Sequence, residues 1–249
     1  MGRTKELLRR GEPALGGWIM IGHPTVAELM AGVGFDWLAV DLEHTPIDYA
    51  TFENMARAVG SRGPDLLVRL QDCDPVQAKR VLDAGANGVI VPLVNTPELA
   101  ARAVDMVKFP PQGSRGAAFS RASDFGRNFR AYFDQHNDRS LVVVMIEHIA
   151  AVENLDAILA TPGIDATLIG PYDLSCSMGR PGELDHPEVR AAQQAIVDGC
   201  RRHQVPSGLH VVAAERALID QALERGFRFV GCSLDTALIL DGCRRLLAG

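Results

Sequence analysis

Short apolar runs alternate with longer amphipathic stretches along the whole chain. The runs that predict strands are residues 15–21, 37–41, 66–69, 88–92, 141–146, 166–169, 207–210 and 227–232. Continuous apolar runs of this length are typical of parallel strands that are buried on both faces. Eight strand–helix units in 249 residues predict an α/β fold, a single (β/α)8 TIM barrel spanning residues 1–249. A doubly wound open sheet is the alternative, but the glycine-rich dinucleotide turn after the first strand is absent.

Polar residues mark where several of the helices begin. Thr25, with Glu28 three residues later, predicts a capping box for the first helix after a strand. Asp48 predicts a cap for the next helix, and Asp74-Pro75 and Thr96-Pro97 each combine a cap with a proline in the first turn. The helix after Thr96 is expected to reach Lys108. Residues 109–139 then form one long irregular insertion, and insertions of this length are often functional.

The strand ends carry an unusual number of polar side chains. In a parallel barrel these positions share one face, where the chemistry of such folds takes place. The residues are His23, Asp41, Glu43, His44, Arg69, Glu147, Asp173, His210, Ser233 and Asp235. Each alone has an ordinary explanation, such as a helix cap or a surface charge, but two acids, a histidine and an arginine on one face predict an active site.

Glu147 and Asp173 follow consecutive strands, as the ligands of a metal site or an acid/base pair do. Two carboxylates without a nearby cysteine suit a hard divalent cation, Mg2+ or Mn2+, with Co2+ as a further candidate. The three lysines are Lys5, Lys79 and Lys108, and none of them ends a strand. A Schiff-base aldolase is therefore disfavoured. No GxSxG elbow or P-loop is present, so serine acyl transfer and nucleotide chemistry lose support as well.

The composition of the chain argues against several classes of binding partner. The formal charge is −6 with both signs interspersed, which argues against nucleic acid or an anionic membrane as the main partner. No apolar run reaches the roughly 18 residues of a membrane span. Five cysteines without CxxC spacing favour reduced thiols in a cytoplasmic protein.

Several motifs together resemble the metal-dependent pyruvate aldolases. These are the class II hydroxyketoacid aldolases of the 4-hydroxy-2-oxoheptanedioate aldolase family, related to the citrate lyase β-subunit. The resemblance spans essentially the whole chain. Its motifs are Asp41-Leu42-Glu43-His44, Val68-Arg69, Val91-Pro92-Leu93-Val94, residues 109–116, Ile146-Glu147 and Gly170-Pro171-Tyr172-Asp173-Leu174-Ser175.

The resemblance implies a reversible cleavage of a 4-hydroxy-2-oxo acid to pyruvate and an aldehyde, through an enolate held by the metal. Glu147 and Asp173 would bind the cation, Arg69 would hold the keto oxygen, and His44, oriented by Asp41, would be the base. The substrate-binding set would comprise Arg69, Gly170, Pro171, Tyr172, Asp173, Ser175, Arg121 and His210. The implied assembly is a homohexamer, a trimer of dimers, with the last helix exchanged between subunits.

Two alternatives remain from the residues. One is a lyase of the same superfamily that decarboxylates oxaloacetate or cleaves a CoA thioester. The only basic residues available for the latter are four arginines of the insertion, Arg115, Arg121, Arg127 and Arg130. The other alternative is a non-catalytic barrel that senses a 2-oxo acid, against which the presence of both a base and metal ligands argues. His210 lies where the aldehyde half should bind, and it is a second candidate for the base.

Overall fold

The computed structural model describes residues 2–60 and 63–248. Its centre is a parallel sheet with the strand order β6-β5-β4-β3-β2-β1-β8-β7. The strands are β1 Ala14–Ile19, β2 Trp37–Asp41, β3 Asp65–Arg69, β4 Gly88–Val91, β5 Leu141–Met145, β6 Ala166–Leu168, β7 Gly208–Val211 and β8 Phe229–Leu234. Backbone hydrogen bonds from Ile169 to Gly208 and from His210 to Ile169 join β6 to β7. The predicted (β/α)8 barrel is therefore confirmed.

Helices precede, connect and follow the strands. They are α1 Arg3–Arg9, α2 Pro24–Ala31, α3 Tyr49–Val59, α4 Pro75–Ala84, α5 Pro97–Asp105, α6 Phe129–Arg139, α7 Ile149–Glu153, α8 Leu155–Leu159, α9 Pro171–Ser177, α10 Pro187–His203, α11 Arg216–Glu224 and α12 Asp235–Leu247. The predicted caps are confirmed at Asp48, Asp74 and Thr96, whose side chains accept backbone N–H bonds in the first turns of α3, α4 and α5.

The expected capping box at Thr25 is wrong. The cap of α2 is His23, whose Nδ1 accepts a hydrogen bond from the Thr25 backbone N–H at 3.2 Å, and Pro24 is the first helical residue. Proline fixes a helical φ at this position and lacks an N–H, so the helix begins two residues earlier than the polar pattern predicted.

The prediction that residues 109–139 form an irregular insertion is wrong. It contains a 3-10 helix, Arg121–Gly126, and then α6. Phe109 stacks on Phe133 of α6 at a centroid distance of 4.7 Å, and the guanidinium of the buried Arg115 lies 4.7 Å from the Phe109 ring. Arg115 also forms a 2.7 Å ion pair with Asp83 of α4. These long-range contacts stabilise a polar helix whose sequence alone shows no clear apolar face.

Two apolar layers fill the molecule. The inner layer lies within the barrel, where Trp37 stacks on Phe229 at 4.2 Å and meets Trp18 edge-on at 6.3 Å. The outer layer packs the strands against the helices. α1 covers one end of the barrel, where the buried Lys5 bonds to the Ser140 carbonyl at 3.0 Å and pairs with Asp165 at 2.8 Å. Within the described ranges, no helix is both long and apolar enough to cross a membrane.

Candidate active site

A buried ion pair lies at the carboxyl ends of β2 and β3. Asp41 and Arg69 are register partners in these neighbouring parallel strands, so their side chains meet on the same face. Arg69 Nε donates to Asp41 Oδ1 at 3.1 Å, and Arg69 Nη2 forms a second bond to Oδ2. Burial by itself raises the pKa of Asp41, but the bonds and charge of Arg69, together with backbone hydrogen bonds from His44 and Glu43, outweigh it and the pKa is lowered. Asp41 is thus an anion that fixes the guanidinium in a bidentate geometry.

The contact of Asp41 with His44 in this structure is to the backbone and not to the imidazole. Asp41 Oδ1 accepts hydrogen bonds from the backbone N–H groups of Glu43 at 2.9 Å and His44 at 3.2 Å. The carboxylate therefore stabilises the turn after β2, and its remaining capacity to accept hydrogen bonds is used by Arg69. The His44 side chain is 56% exposed, so its ring stands at the mouth of the site, where a substrate can reach it.

Glu43 is the site residue whose role the sequence did not assign. Its carboxylate lies 3.0 Å from Arg69 Nη1 and 3.6 Å from His44 Nε2. Burial and the neighbouring Asp41 and Asp173 charges raise its pKa, although Arg69 and His44 oppose the effect. The sequence held a signal for this role, because Glu43 lies two residues after Asp41 at the end of a strand. The acid next to the imidazole is Glu43.

Glu147 and Asp173 converge over Gly170. Glu147 follows β5 and is only 3% exposed, and its Oε1 accepts a hydrogen bond from the Leu93 N–H at 2.8 Å. A Cβ added at Gly170 would lie 2.5 Å from Glu147 Oε2 and 3.2 Å from Asp173 Oδ2. Glycine therefore leaves a small space at which an oxygen from each acid is directed.

This space suits a cation. Burial raises the pKa of Glu147 to about 7, and the charges of Asp173 and Glu43 add to the effect. Asp41 and Glu43 contact the Arg69 guanidinium, whose positive charge opposes the rise in the pKa of Glu147. Within residues 2–60 and 63–248 there is no cluster of three or more His, Cys, Asp or Glu side chains that could hold a metal. Two carboxylates still fit Mg2+ or Mn2+, because such ions commonly take their other ligands from water and substrate oxygens.

An aromatic layer supports the arginine from inside the barrel. The Arg69 guanidinium lies 5.1 Å from the Trp18 ring centroid, and Trp18 Nε1 donates to Asp41 Oδ2 at 3.4 Å. His210 stacks on Trp18 at 4.6 Å, and its Nε2 is buried without a hydrogen-bond partner. Burial and the Arg69 charge lower the pKa of His210 to about 4, so this imidazole is neutral at neutral pH.

The expected substrate-binding residues after β6 fall into two groups. Gly170 and Pro171 lead into α9, and the side chains of Tyr172 and Asp173 are exposed at the barrel mouth. Ser175 is buried instead, and its hydroxyl donates to the Tyr172 carbonyl at 2.7 Å and accepts from the Gly182 N–H at 3.0 Å. Both contacts are to backbone, so the Ser175 side chain stabilises the fold of this loop.

Arg121 does not join the site in this chain. Its guanidinium donates to the carbonyls of Ala84, at 2.8 Å, and Ala56, at the carboxyl ends of α4 and α3. Helices run antiparallel to the strands in this fold, so Arg121 lies at the opposite end of the barrel. The other three arginines that were candidates for a CoA-binding groove also form ion pairs. These are Arg115 with Asp83, Arg127 with Asp124 and Arg130 with Asp134.

The fold and the site together define a class. It is a (β/α)8 barrel with a carboxylate pair suited to a divalent cation and, beside that pair, an arginine held by two further carboxylates and an exposed histidine.

The model of the HpcH/HpaI aldolase/citrate lyase family matches residues 15–242. A 2-dehydro-3,6-dideoxy-6-sulfogluconate aldolase from Pseudomonas putida is 37% identical over 97% of this chain and 94% of its own length. A 4-hydroxy-2-oxo-heptane-1,7-dioate aldolase from Salmonella dublin is 40% identical over 98% and 92%. A family member from Burkholderia cenocepacia superposes with a TM-score of 0.94, at 34% identity over 99% and 98% of the two chains. The chain belongs to the HpcH/HpaI aldolase/citrate lyase family, and it is a carbon–carbon lyase.

Proposed function

We propose that this protein is a divalent-metal-dependent pyruvate aldolase that reversibly cleaves a 4-hydroxy-2-oxo acid into pyruvate and an aldehyde. The observation that supports the proposal most directly is the meeting of Glu147 and Asp173 oxygens over Gly170, next to an arginine held by Asp41 and Glu43. Both relatives described above are named as aldolases of oxo acids, which agrees with this chemistry.

The cation would be held by Glu147 and Asp173. When bound, it would supply Lewis-acid polarisation of the 2-oxo acid. Arg69 is held rigidly by its two bonds to Asp41, and the N–H groups that Asp41 and Glu43 leave free would donate to the negative charge that develops on the C2 oxygen. A preorganised donor of this kind stabilises an enolate without having to reorganise during the reaction.

His44 would move the protons. In the direction of synthesis, its imidazole removes a proton from C3 of pyruvate. In cleavage, it accepts the proton of the C4 hydroxyl as the C3–C4 bond breaks and aldehyde is released. The Glu43 carboxylate, 3.6 Å from His44 Nε2, stabilises the imidazolium that forms. His210 is a weaker candidate for the base, because its pKa is near 4 and its Nε2 is buried.

The positions of the lysines agree with this mechanism. Lys108 Nζ donates to the Asn137 and Ser140 carbonyls at 2.8 and 2.9 Å, and Lys5 bonds to the same Ser140 carbonyl. Both lie at the covered end of the barrel, away from the strand carboxyl ends. Lys79 is part of α4. None is placed to form a Schiff base at the acid pair.

An assay of the purified protein with pyruvate and a panel of aldehydes, read by product mass, tests the proposal. We expect EDTA to abolish product formation and Mg2+, Mn2+ or Co2+ to restore it. Borohydride added with pyruvate should leave the protein mass unchanged. A reduced pyruvate adduct on a lysine, or full activity in EDTA, would contradict the metal mechanism. A protein that binds pyruvate but turns over neither an aldol nor oxaloacetate would instead be a sensor.

We also propose that the chain assembles as a homohexamer, a trimer of dimers, with α12 exchanged between subunits. Asp235 is the buried residue of α12 in this chain, while Leu238, Ile239, Leu240, Leu246 and Leu247 are between 41% and 86% exposed. Apolar side chains at this density are typical of an interface. Light scattering of the full chain and of a chain ending before α12 tests this, and a monomeric full chain would contradict it. A cytoplasmic location stays a prediction.

A further inference from the structure

A cleft lies between α10 and α11, outside the barrel wall that β7 forms. It encloses a cavity of about 190 Å3. Leu209 and Val211 of β7 belong to the outer apolar layer between strands and helices, whereas His210 between them stacks on Trp18 within the barrel. Successive side chains of a strand point to opposite faces. Most of the cleft therefore lies on the outer face of β7, and it meets the active site at His210, which also lines it.

The walls of the cleft are largely apolar. Its lining side chains include Leu184, Leu209, Val211, Val212, Leu218 and Ala222. Leu218 and Ala222 are one turn apart on α11, so they form a continuous apolar stripe along one wall. A concave apolar surface with a few polar groups is typical of a small-molecule site.

Two arginines bring positive charge into this apolar cleft. Arg225, at the end of α11, donates from Nη2 to Gln193 Oε1 of α10 at 2.8 Å, and Arg190 of α10 also lines the cavity. Arg190 pairs with Asp185, the one acidic residue among the described residues that line the cleft. No carboxylate of the described residues pairs with Arg225, and its guanidinium lies over the Phe227 ring at 5.2 Å. The cleft thus carries a net positive charge on a chain whose formal charge is −6.

The surroundings of Arg225 also indicate an uncompensated charge. Burial lowers the pKa of Arg225, and the charge of Arg190 lowers it further. Two guanidiniums that repel each other in a partly buried cleft are stabilised by an anion between them, and a planar guanidinium binds carboxylate, sulfonate or phosphate oxygens in pairs.

The cleft is connected to the catalytic loop at one end. Pro171 and Tyr172 line it there, and they begin α9, which also carries Asp173. A ligand that fills the cleft would contact the residues directly before this proposed metal ligand.

We propose that the α10–α11 cleft is a binding site for a small organic anion, a carboxylate or sulfonate with a short apolar body. The anionic group would lie between Arg190 and Arg225, with Gln193 as a further donor, and the apolar body would lie along Leu209, Val211 and Leu218. This site goes beyond the proposed aldolase activity, and its occupancy does not depend on that activity.

Calorimetric titration of the full-length protein with hexanoate and with butanesulfonate tests the proposal, with hexanamide as the uncharged match. Each titration is repeated in the presence of saturating pyruvate and Mg2+, which separates this cleft from the Arg69 site. The variants are Arg225→Gln and Arg190→Gln. The matched control is Arg202→Gln, an exposed arginine of α10 that pairs with Asp156 and does not line the cleft.

We expect saturable binding of both anions that pyruvate does not displace. The dissociation constant should rise by roughly 10- to 100-fold in either cleft variant, as for a lost charge-assisted hydrogen bond, and should not change in Arg202→Gln. Arg190 is half exposed, so its variant should fold even if Arg225→Gln does not. Absence of saturation up to about 10 mM, displacement by pyruvate, equal binding of hexanamide, or wild-type affinity in Arg190→Gln would each overturn the proposal.

Discussion

Replacing Asp41 by Asn should both destabilise the protein and slow its chemistry. The side chain of Asp41 is fully buried, and Arg69 is 8% exposed. Asn is nearly isosteric, so the change removes the charge and one acceptor and leaves the shape. Arg69 then retains Glu43, at 3.0 Å, as its carboxylate partner.

The magnitude follows from this geometry. Breaking a buried ion pair by neutralising one partner costs about 3 to 5 kcal/mol. Since Glu43 and one amide oxygen remain for Arg69, we expect the lower limit, about 3 kcal/mol in the free energy of unfolding. For a chain of this size that corresponds to a fall of about 6 to 12 °C in Tm. Loss of the bidentate bond also releases the guanidinium from its position, and misplacement of a catalytic group by an ångström costs on the order of 100-fold in kcat.

Urea denaturation and calorimetry measure the first effect, and aldol cleavage at saturating metal measures the second. The control is Asp48→Asn, because Asp48 is an exposed cap of α3 and Asn caps a helix as well as Asp does. Asp48→Asn should stay within about 0.5 kcal/mol of the parent. If Asp41→Asn keeps the parent Tm and kcat, the buried pair is neither a stabilising nor a positioning element, and the reasoning fails.

Three further predictions concern single sites. His44→Ala should slow exchange of the C3 protons of pyruvate by about 100- to 10,000-fold, followed by NMR in D2O. Oxaloacetate decarboxylation should suffer less, because it requires no C3 deprotonation, and an equal loss in both reactions would exclude His44 as the base. Gly170→Ala places a Cβ 2.5 Å from Glu147 Oε2, so the Kd for Mn2+, measured by EPR, should rise at least about tenfold, whereas Gly116→Ala, where a Cβ meets open space, should bind normally. An unchanged Kd in Gly170→Ala would place the cation elsewhere. Burial, together with a neighbouring guanidinium, lowers the pKa of His136 to about 3. The unfolded chain therefore binds more protons below pH 6.5, and stability should fall by about 1.5 kcal/mol between pH 6.5 and 5. His136→Asn should weaken the dependence of the urea denaturation midpoint on pH over this range. An unchanged slope would assign the pH dependence to other groups.

Local patterns were sufficient for the fold. Buried parallel strands are continuous apolar runs, and a proline after a polar cap starts a helix, so β2 has the bounds that the sequence predicted and α4 and α5 begin at the predicted prolines. Local sequence patterns failed to predict the features that long-range contacts determine. α6 is polar along most of its length, and it is held by Phe109, Arg115 and Asp83, which are distant in sequence. Arg121 is in the same insertion, and only the packing shows that it lies at the opposite end of the barrel from the acid pair.

The sequence by itself determined which residues stand at the carboxyl ends of the strands, because strand periodicity and turn chemistry are local. It thereby identified the acid pair Glu147 and Asp173, Arg69, and the motif from Asp41 to His44. Only the tertiary structure decided which of these side chains touch. Asp41 lies opposite Arg69 in the register of β2 and β3, so its carboxylate pairs with that guanidinium and not with the imidazole of His44, three residues along its own chain. Several partners are within reach of the Asp41 carboxylate. Strand register holds one of them, the buried Arg69 guanidinium, in a fixed position opposite it, and the carboxylate binds that cation. Register is a property of two strands, and no single stretch of sequence specifies it.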